Sequence, residues 1–207
     1  MSSENALVQQ AKAGDRNAFA ALVSAYDSKI YNLALRYLGN REDAMDASQE
    51  VFLRVFRFLP GFQEESGFST WIYRIGVNVC KDMLIKQNRR NEQSLEMDDE
   101  DEDSRTMDLV DCRYSPEQIL ENAELREMLL SAIAALPGQQ REVIILRDIQ
   151  GLSYEEISRV LSLESGTVKS RLSRARDTLR KKFLQNGNNF GFSVSKQMIG
   201  GKTDEIL

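Results

Sequence analysis

Histidine is absent from the 207 residues, and cysteine is limited to Cys80 and Cys112. Without imidazole the chain has no histidine-based acid/base or triad chemistry and lacks the commonest zinc ligand, and two isolated cysteines build no disulfide framework. Neither a catalytic site, a metal nor a cofactor is expected, and Cys80, inside an apolar helical stretch, reads as a small core filler. No apolar run approaches the roughly 20 residues that span a bilayer, and the opening MSSENALVQQ lacks a signal-peptide core. A cytoplasmic chain without membrane insertion is expected. Also missing is the apolar/polar alternation of a half-buried strand, which leaves an all-α fold class.

A net charge of −5 would argue against nucleic-acid binding if it were evenly spread, but it is not. Residues 1–90 carry a net +2 and residues 125–185 a net +4, whereas residues 91–124 carry −11. The acidic stretch NEQSLEMDDEDEDSRTMDLVDCRYS (91–115) also loses helical periodicity, and such a composition buries too little apolar surface to offset its chain entropy. It is expected to be a flexible linker between two small helical domains, 1–90 and 116–185. A tail, 186–207, follows; its asparagines and glycines suggest disorder, and it receives no role. The acidic linker is expected to shield basic surfaces of the free protein or to occupy a cationic channel of a partner.

Before the linker the pattern is helical throughout. Ala6–Ala13 leads to Gly14 as a left-handed cap and Asp15 as the next N-cap. Phe19, Leu22, Val23, Tyr26, Ile30, Leu33, Ala34 and Tyr37 then recur at spacings of three and four, forming one apolar face that ends at Gly39-Asn40. A third helix, Arg41 to Leu59, repeats the pattern with Ala44, Ala47, Val51, Phe52, Val55, Phe56 and Leu59 and stops at Pro60-Gly61. Ser69 or Thr70 is expected to cap a fourth helix running to Arg90. After the linker, Ser115-Pro116-Glu117-Gln118 has a helix-start signature leading to Leu136, and a second helix is expected over Gln139–Asp148.

The strongest local signal is LSYEEISRVLSLESGTVKSRLSRARDTLRKK (152–182). Ser153 and Glu156 are spaced as a capping box, Ile157, Val160 and Leu161 form an inner face, and Leu163 to Ser165 make a short turn. The helix beginning near Gly166 buries Val168, Leu172, Ala175 and Leu179 and carries seven cations between Lys169 and Lys182 against the single acid Asp177. A helix-turn-helix so built fits a major groove, with its early residues at base edges and its cations at phosphates. Thr167, Lys169, Ser170, Arg171, Arg174 and Arg176 are the candidates. By itself this motif also suits a stand-alone regulator that uses residues 1–90 as a dimerisation or ligand domain. A hydrolase holding a divalent metal on the carboxylates of 96–103 is a weaker reading, because that run lacks the spaced glycines and flanking structure of a coordination loop.

The first half decides among these. REDAMDASQEVFLRVFRFL (41–59) resembles the polymerase-docking helix of extracytoplasmic-function sigma factors, and GFSTWIYRIGVNVCKDMLIKQNRR (67–90) resembles their promoter-melting, minus-ten-reading helix. LPGQQREVIILRDIQGLSYEEISRVLSLESGTVKSRLSRARDTLRK (136–181) resembles their minus-thirty-five-reading domain. Three segments in family order are more specific than any one motif. The resemblance implies a sigma factor that catalyses nothing itself and recognises a promoter at two places. It implies RNA polymerase core as a partner, through the β′ clamp helices and β flap, together with promoter DNA and an anti-sigma factor. Asp43, Asp46, Gln49, Glu50 and Arg54 would meet the clamp helices. Asn78, with the loop Phe62–Phe68, would receive an unstacked base, while Arg74, Lys81, Lys86, Arg89 and Arg90 would track phosphates.

Overall fold

The computed structural model describes residues 3–63, 66–94 and 128–190, and among these the regular structure is helical, with no strand. The acidic run 95–127, the start of the helix expected from Pro116, and residues 191–207 lie outside the described residues.

The first helical unit contains α1 (Ser3–Lys12), α2 (Arg16–Leu38), α3 (Arg41–Phe58) and α4 (Phe68–Ser94). Local chemistry sets most of its boundaries. The Asp15 carboxylate accepts hydrogen bonds from the backbone N–H groups of Asn17 at 2.8 Å and Ala18 at 3.2 Å, which starts α2. Gly39, at φ 81°, ends it in the left-handed region that glycine occupies without a Cβ penalty. Asn40 caps α3 through the N–H of Asp43 at 2.8 Å, and Leu59–Gly61 closes α3 as a 3-10 turn.

Neither Ser69 nor Thr70 caps α4: the helix begins at Phe68, and Thr70 is already buried within its first turn. Aromatic packing accounts for the earlier start. The Phe68 ring is buried between Tyr26, Phe62 and Trp71, at centroid distances of 5.4, 6.1 and 5.7 Å, which draws this residue onto the helix. The helix also runs four residues past the expected end at Arg90. The core below joins Leu22, Ile30 and Leu33 of α2, Ala44, Ala47, Val51 and Val55 of α3, and Ile72 and Val79 of α4. Gly76 permits this approach, since a Cβ there would lie 2.8 Å from Cδ2 of Leu33.

The second unit comprises α5 (128–134), α6 (Gly138–Ile144), α7 (Tyr154–Leu161) and α8 (Ser165–Phe190). The single helix expected over Gln139–Asp148 instead widens into a π turn, Ile145–Ile149, in which the N–H of Gln150 reaches the carbonyl of Ile145 at 3.0 Å. Val143, Ile144, Ile145 and Leu146 are all buried. Four consecutive side chains fan around a whole helix, so this element has neighbours on every side. Its neighbours include α8, α7 and, from the first unit, α2, and the two units share one apolar cluster.

The helix-turn-helix is built as its sequence predicts, except that the turn is residues 162–164, one residue earlier than expected. Ser153 Oγ accepts from the N–H of Glu156 at 3.2 Å, and Glu156 Oε2 accepts from the N–H of Ser153 at 2.8 Å. Ile157, Val160, Val168, Leu172 and Ala175 are buried, while Ser162, at φ 53°, makes the left-handed turn residue. The basic helix starts at Ser165 and continues to Phe190, five residues into the segment read as a tail. Cys80 is fully buried, and burial pushes its thiol up to about 12.

Candidate nucleic-acid interface

Three surfaces carry the residues singled out by the sequence. On α8, Thr167, Ser170, Arg171 and Arg174 are spaced three, one and three residues apart and share one flank of the helix, away from Val168 and Leu172. Ser170 and Arg174 are exposed and Thr167 and Arg171 half-buried, with Ser170 Oγ donating to the Thr167 carbonyl at 3.0 Å. Lys169 and Arg176 belong to the opposite flank. Lys169 Nζ sits 5.8 Å from the Tyr154 ring centroid, and Arg176 binds both oxygens of Asp148, at 2.7 and 3.3 Å. That pairing favours the guanidinium cation and ties α8 to the π turn, so Arg176, though exposed like Arg174, is already engaged by a carboxylate of the protein.

On α4, Arg74, Asn78, Lys81, Ile85 and Arg89 follow one another at spacings of four, three, four and four and form one outward face. Arg74, Asn78 and Arg89 are exposed, and Lys86 is exposed on the neighbouring flank. Of Arg90 only the helical backbone is described. An exposed mid-helix amide among cations can pair with a base edge while its neighbours hold phosphates. Half-buried Trp71 lies two turns before Asn78, its ring 4.7 Å from Phe62. Phe62 and Phe68 turn inward, and Phe62 is fastened by Lys12 Nζ donating to its carbonyl at 2.7 Å. Residues 64 and 65 of that loop are outside the described set.

Two cations of this face meet the second unit. Lys81 Nζ is 3.0 Å from Glu142 Oε1, and Arg74 donates to the Arg159 carbonyl. Beside them Tyr73 Oη donates to Gln150 Oε1 at 3.0 Å, Gln150 Nε2 donates to the Lys29 carbonyl at 3.4 Å, and Arg141 donates to the Tyr37 carbonyl at 3.3 Å. Burial, with the Glu156 carboxylate adding to it, pushes the Tyr73 phenol up to about 12, so it remains a donor at neutral pH.

On α3 the five polar candidates divide. Arg54 bridges Glu50 at 2.7 Å and Asp82 of α4 at 3.2 Å, and Asp43 accepts from Asn40 and from Gln87 of α4. Asp43, Glu50 and Arg54 thus form the seam between α3 and α4, while Asp46 and Gln49 are exposed. Phe56 is not core as its periodicity suggested: it is 63% exposed, with only its edge against Phe19, the centroids 5.2 Å apart. With Met45 and Leu53, 54% and 63% exposed, it makes an apolar stripe around Gln49. The spacing 45, 49, 53, 56 was the available signal for that stripe, which is the kind of surface that marks a docking site.

Among the described residues no group of acidic or cysteine side chains is placed to hold a metal ion, and no helix is long and apolar enough to cross a membrane. The acidic run 96–103 falls outside them.

Residues 22–90 match the family model for sigma-70 region 2, and residues 126–179 match that for sigma-70, region 4. The chain is 40% identical over 182 residues to the ECF RNA polymerase sigma-E factor of Haemophilus influenzae, covering 87% of this chain and 95% of that protein. It is 37% identical over 180 residues to the Escherichia coli factor of the same name, covering 87% and 94%. Among solved structures, CnrH in complex with the cytosolic domain of CnrY is similar in fold, with a TM-score of 0.65 at 24% identity over 88% of this chain and 98% of that one. The sigma factor RpoE of Bartonella quintana, solved with the anti-sigma factor NepR, gives a TM-score of 0.59 at 22% identity over 80% and 96%. The fold, the two matched regions in order and the near full-length identity all agree, and the chain belongs to the extracytoplasmic-function sigma factors of the sigma-70 family.

Proposed function

We propose that this chain directs promoter-specific initiation by docking on core RNA polymerase through α3, capturing the melted minus-ten strand on α4 and reading the minus-thirty-five duplex with α8. Residues 1–90 and 116–185 are the two recognition domains, and 91–115 is the connector that spans them. The observation that carries this reading is the α4 face, where Asn78 stands exposed among Arg74, Lys81 and Arg89. Asn78 would read a base and the cations, with Lys86 and Arg90, would hold phosphates. Thr167, Ser170, Arg171 and Arg174 would enter the major groove, with Lys169 and Arg176 on the other flank of the helix. Met45, Leu53 and Phe56 join Asp46 and Gln49 as the polymerase contact, and Asp43, Glu50 and Arg54 set the pose of α3 against α4.

Neither domain has to bind tightly alone, because attachment to the core raises the effective concentration of each at its promoter element. The chain supplies recognition, the polymerase performs the chemistry, and both act in the cytoplasm. The anti-sigma factor named in the RpoE structure supports such a factor as a further partner. The test is run-off transcription by purified core polymerase on fragmented genomic DNA. Discrete transcripts that appear only when the protein is added support the reading. Duplex binding without any gain in initiation would replace it by a stand-alone helix-turn-helix regulator.

A further inference from the structure

The contact between the two units falls on the face of α4 assigned above to the melted strand, whereas the groove-reading flank of α8 is left open. Lys81 is paired with Glu142 at 3.0 Å, Arg74 is bound to the Arg159 carbonyl, and Tyr73, one residue away, is held by Gln150 at 3.0 Å. Glu142, Gln150 and Arg159 come from α6, the end of the π turn and α7, so three successive elements of the second unit meet this face. Ser170 and Arg174 on α8 remain exposed.

We propose that the free protein masks its own strand-binding face: the second unit docks on α4 and occupies Arg74 and Lys81, so single-stranded DNA and the second unit compete for the same two cations. The proposal rests on the reading of α4 as a strand-binding helix. Its physical basis is that a carboxylate and a carbonyl oxygen already stand where phosphate oxygens would have to be. Lys81 and Arg74 cannot hold both sets of acceptors in one geometry.

The polar contacts are suited to a reversible mask. The side chain of Lys81 is 40% exposed and that of Glu142 12%, so the pair is neither sealed from solvent nor fully screened by it. Lys81 keeps enough of its side chain in solvent for a strand to reach it, and the several phosphates of that strand compete with the single Glu142 carboxylate. Masking is also selective. Duplex DNA approaching α8 meets the same surface in the closed and open forms, while strand binding is available only in the open form. Apparent affinity for single strands is therefore reduced by the fraction of molecules that are open, and affinity for duplex is not.

The test uses the full chain and three readouts: small-angle scattering for compactness, anisotropy of a labelled single-stranded DNA pool of random sequence, and anisotropy of a duplex pool. The variant Glu142→Gln with Gln150→Ala removes the carboxylate charge that faces Lys81 and the acceptor that holds Tyr73, and leaves every proposed DNA residue intact. The expected result is an expanded particle, single-strand affinity raised about tenfold, and unchanged duplex affinity. The wild type is expected to expand when the single-stranded pool is added. Glu142→Lys, which sets a like charge against Lys81, gives a stronger opening, and combining it with Lys81→Glu restores compactness.

Expansion of either variant without a gain in single-strand affinity overturns the proposal. So does strand binding by the wild type without expansion, or a Glu142→Lys chain that stays compact with unchanged affinity. Absence of strand binding by the wild type and the opened variants alike overturns the reading of α4 itself, and the masking with it.

Discussion

At the scale of single residues, the close approach of α2 and α4 depends on one missing side chain. Gly76 faces Leu33 and Ile30, and a Cβ at this position would come within 2.8 and 3.7 Å of their methyl groups. Gly76→Ala gains up to about 1 kcal/mol of helix propensity while displacing one buried methyl, so the two effects oppose each other. Gly76→Val adds two further carbons where Leu33 and Val51 are fully packed, and overpacking of this kind costs about 1–3 kcal/mol. Urea unfolding is expected to show Val well below wild type and Ala between them. An Ala variant no more stable than Val would mean that the first carbon, not the volume beyond it, sets the limit. The sequence did not announce this glycine, since nothing in a helical run says which neighbour lies opposite. Cys80 was legible by contrast, because a small apolar side chain on the inner face of a helix needs only periodicity to be placed.

At the scale of elements, what could be read early was what is local. The Ser153 and Glu156 capping box, the Asp15 cap and the Gly39 stop each involve residues within four positions, and the sequence held all their partners. Periodicity, however, defines an apolar face without saying whether another element covers it. The outward Phe56 and the inward Phe68 both follow from tertiary placement, and so does the division of the α8 cations. The apolar run Val143 to Leu146 did carry a trace of the contact between the units, because four adjacent apolar residues on a helix demand partners all round. Arg176 illustrates the functional consequence. Its pairing with Asp148 is half-exposed, so Asp148→Asn is expected to lower stability by only about 0–1 kcal/mol. The released cation becomes available to phosphate, and the slope of log affinity for duplex against log salt should steepen by about 0.9. Arg174→Ala should instead flatten that slope by about the same amount. Equal effects of the two substitutions would show that Asp148 does not withhold Arg176 from DNA.

At the scale of the whole molecule, charge is distributed so that the acidic residues of 91–124, net −11, are tethered between cationic faces on both sides. At 0.1 M salt the Debye length is about 10 Å, so charges in the same chain are screened only in part and the acidic segment weighs against the approach of a polyanion. Free DNA must therefore approach a molecule whose net charge is −5 although both of the faces proposed to bind it are basic. Replacing the acids of 96–103 by serine and asparagine leaves each face intact and removes the repulsion. Duplex and single-stranded DNA should then both bind the free protein more tightly at 0.05–0.1 M salt, with the difference from wild type vanishing as the Debye length falls to about 3 Å near 1 M. This electrostatic effect is separable from the contact between units, which discriminates single strands from duplex. A linker variant that tightened single-strand binding alone would place the acidic segment at the α4 face, whereas an equal gain for both forms of DNA identifies it as a general repulsive field.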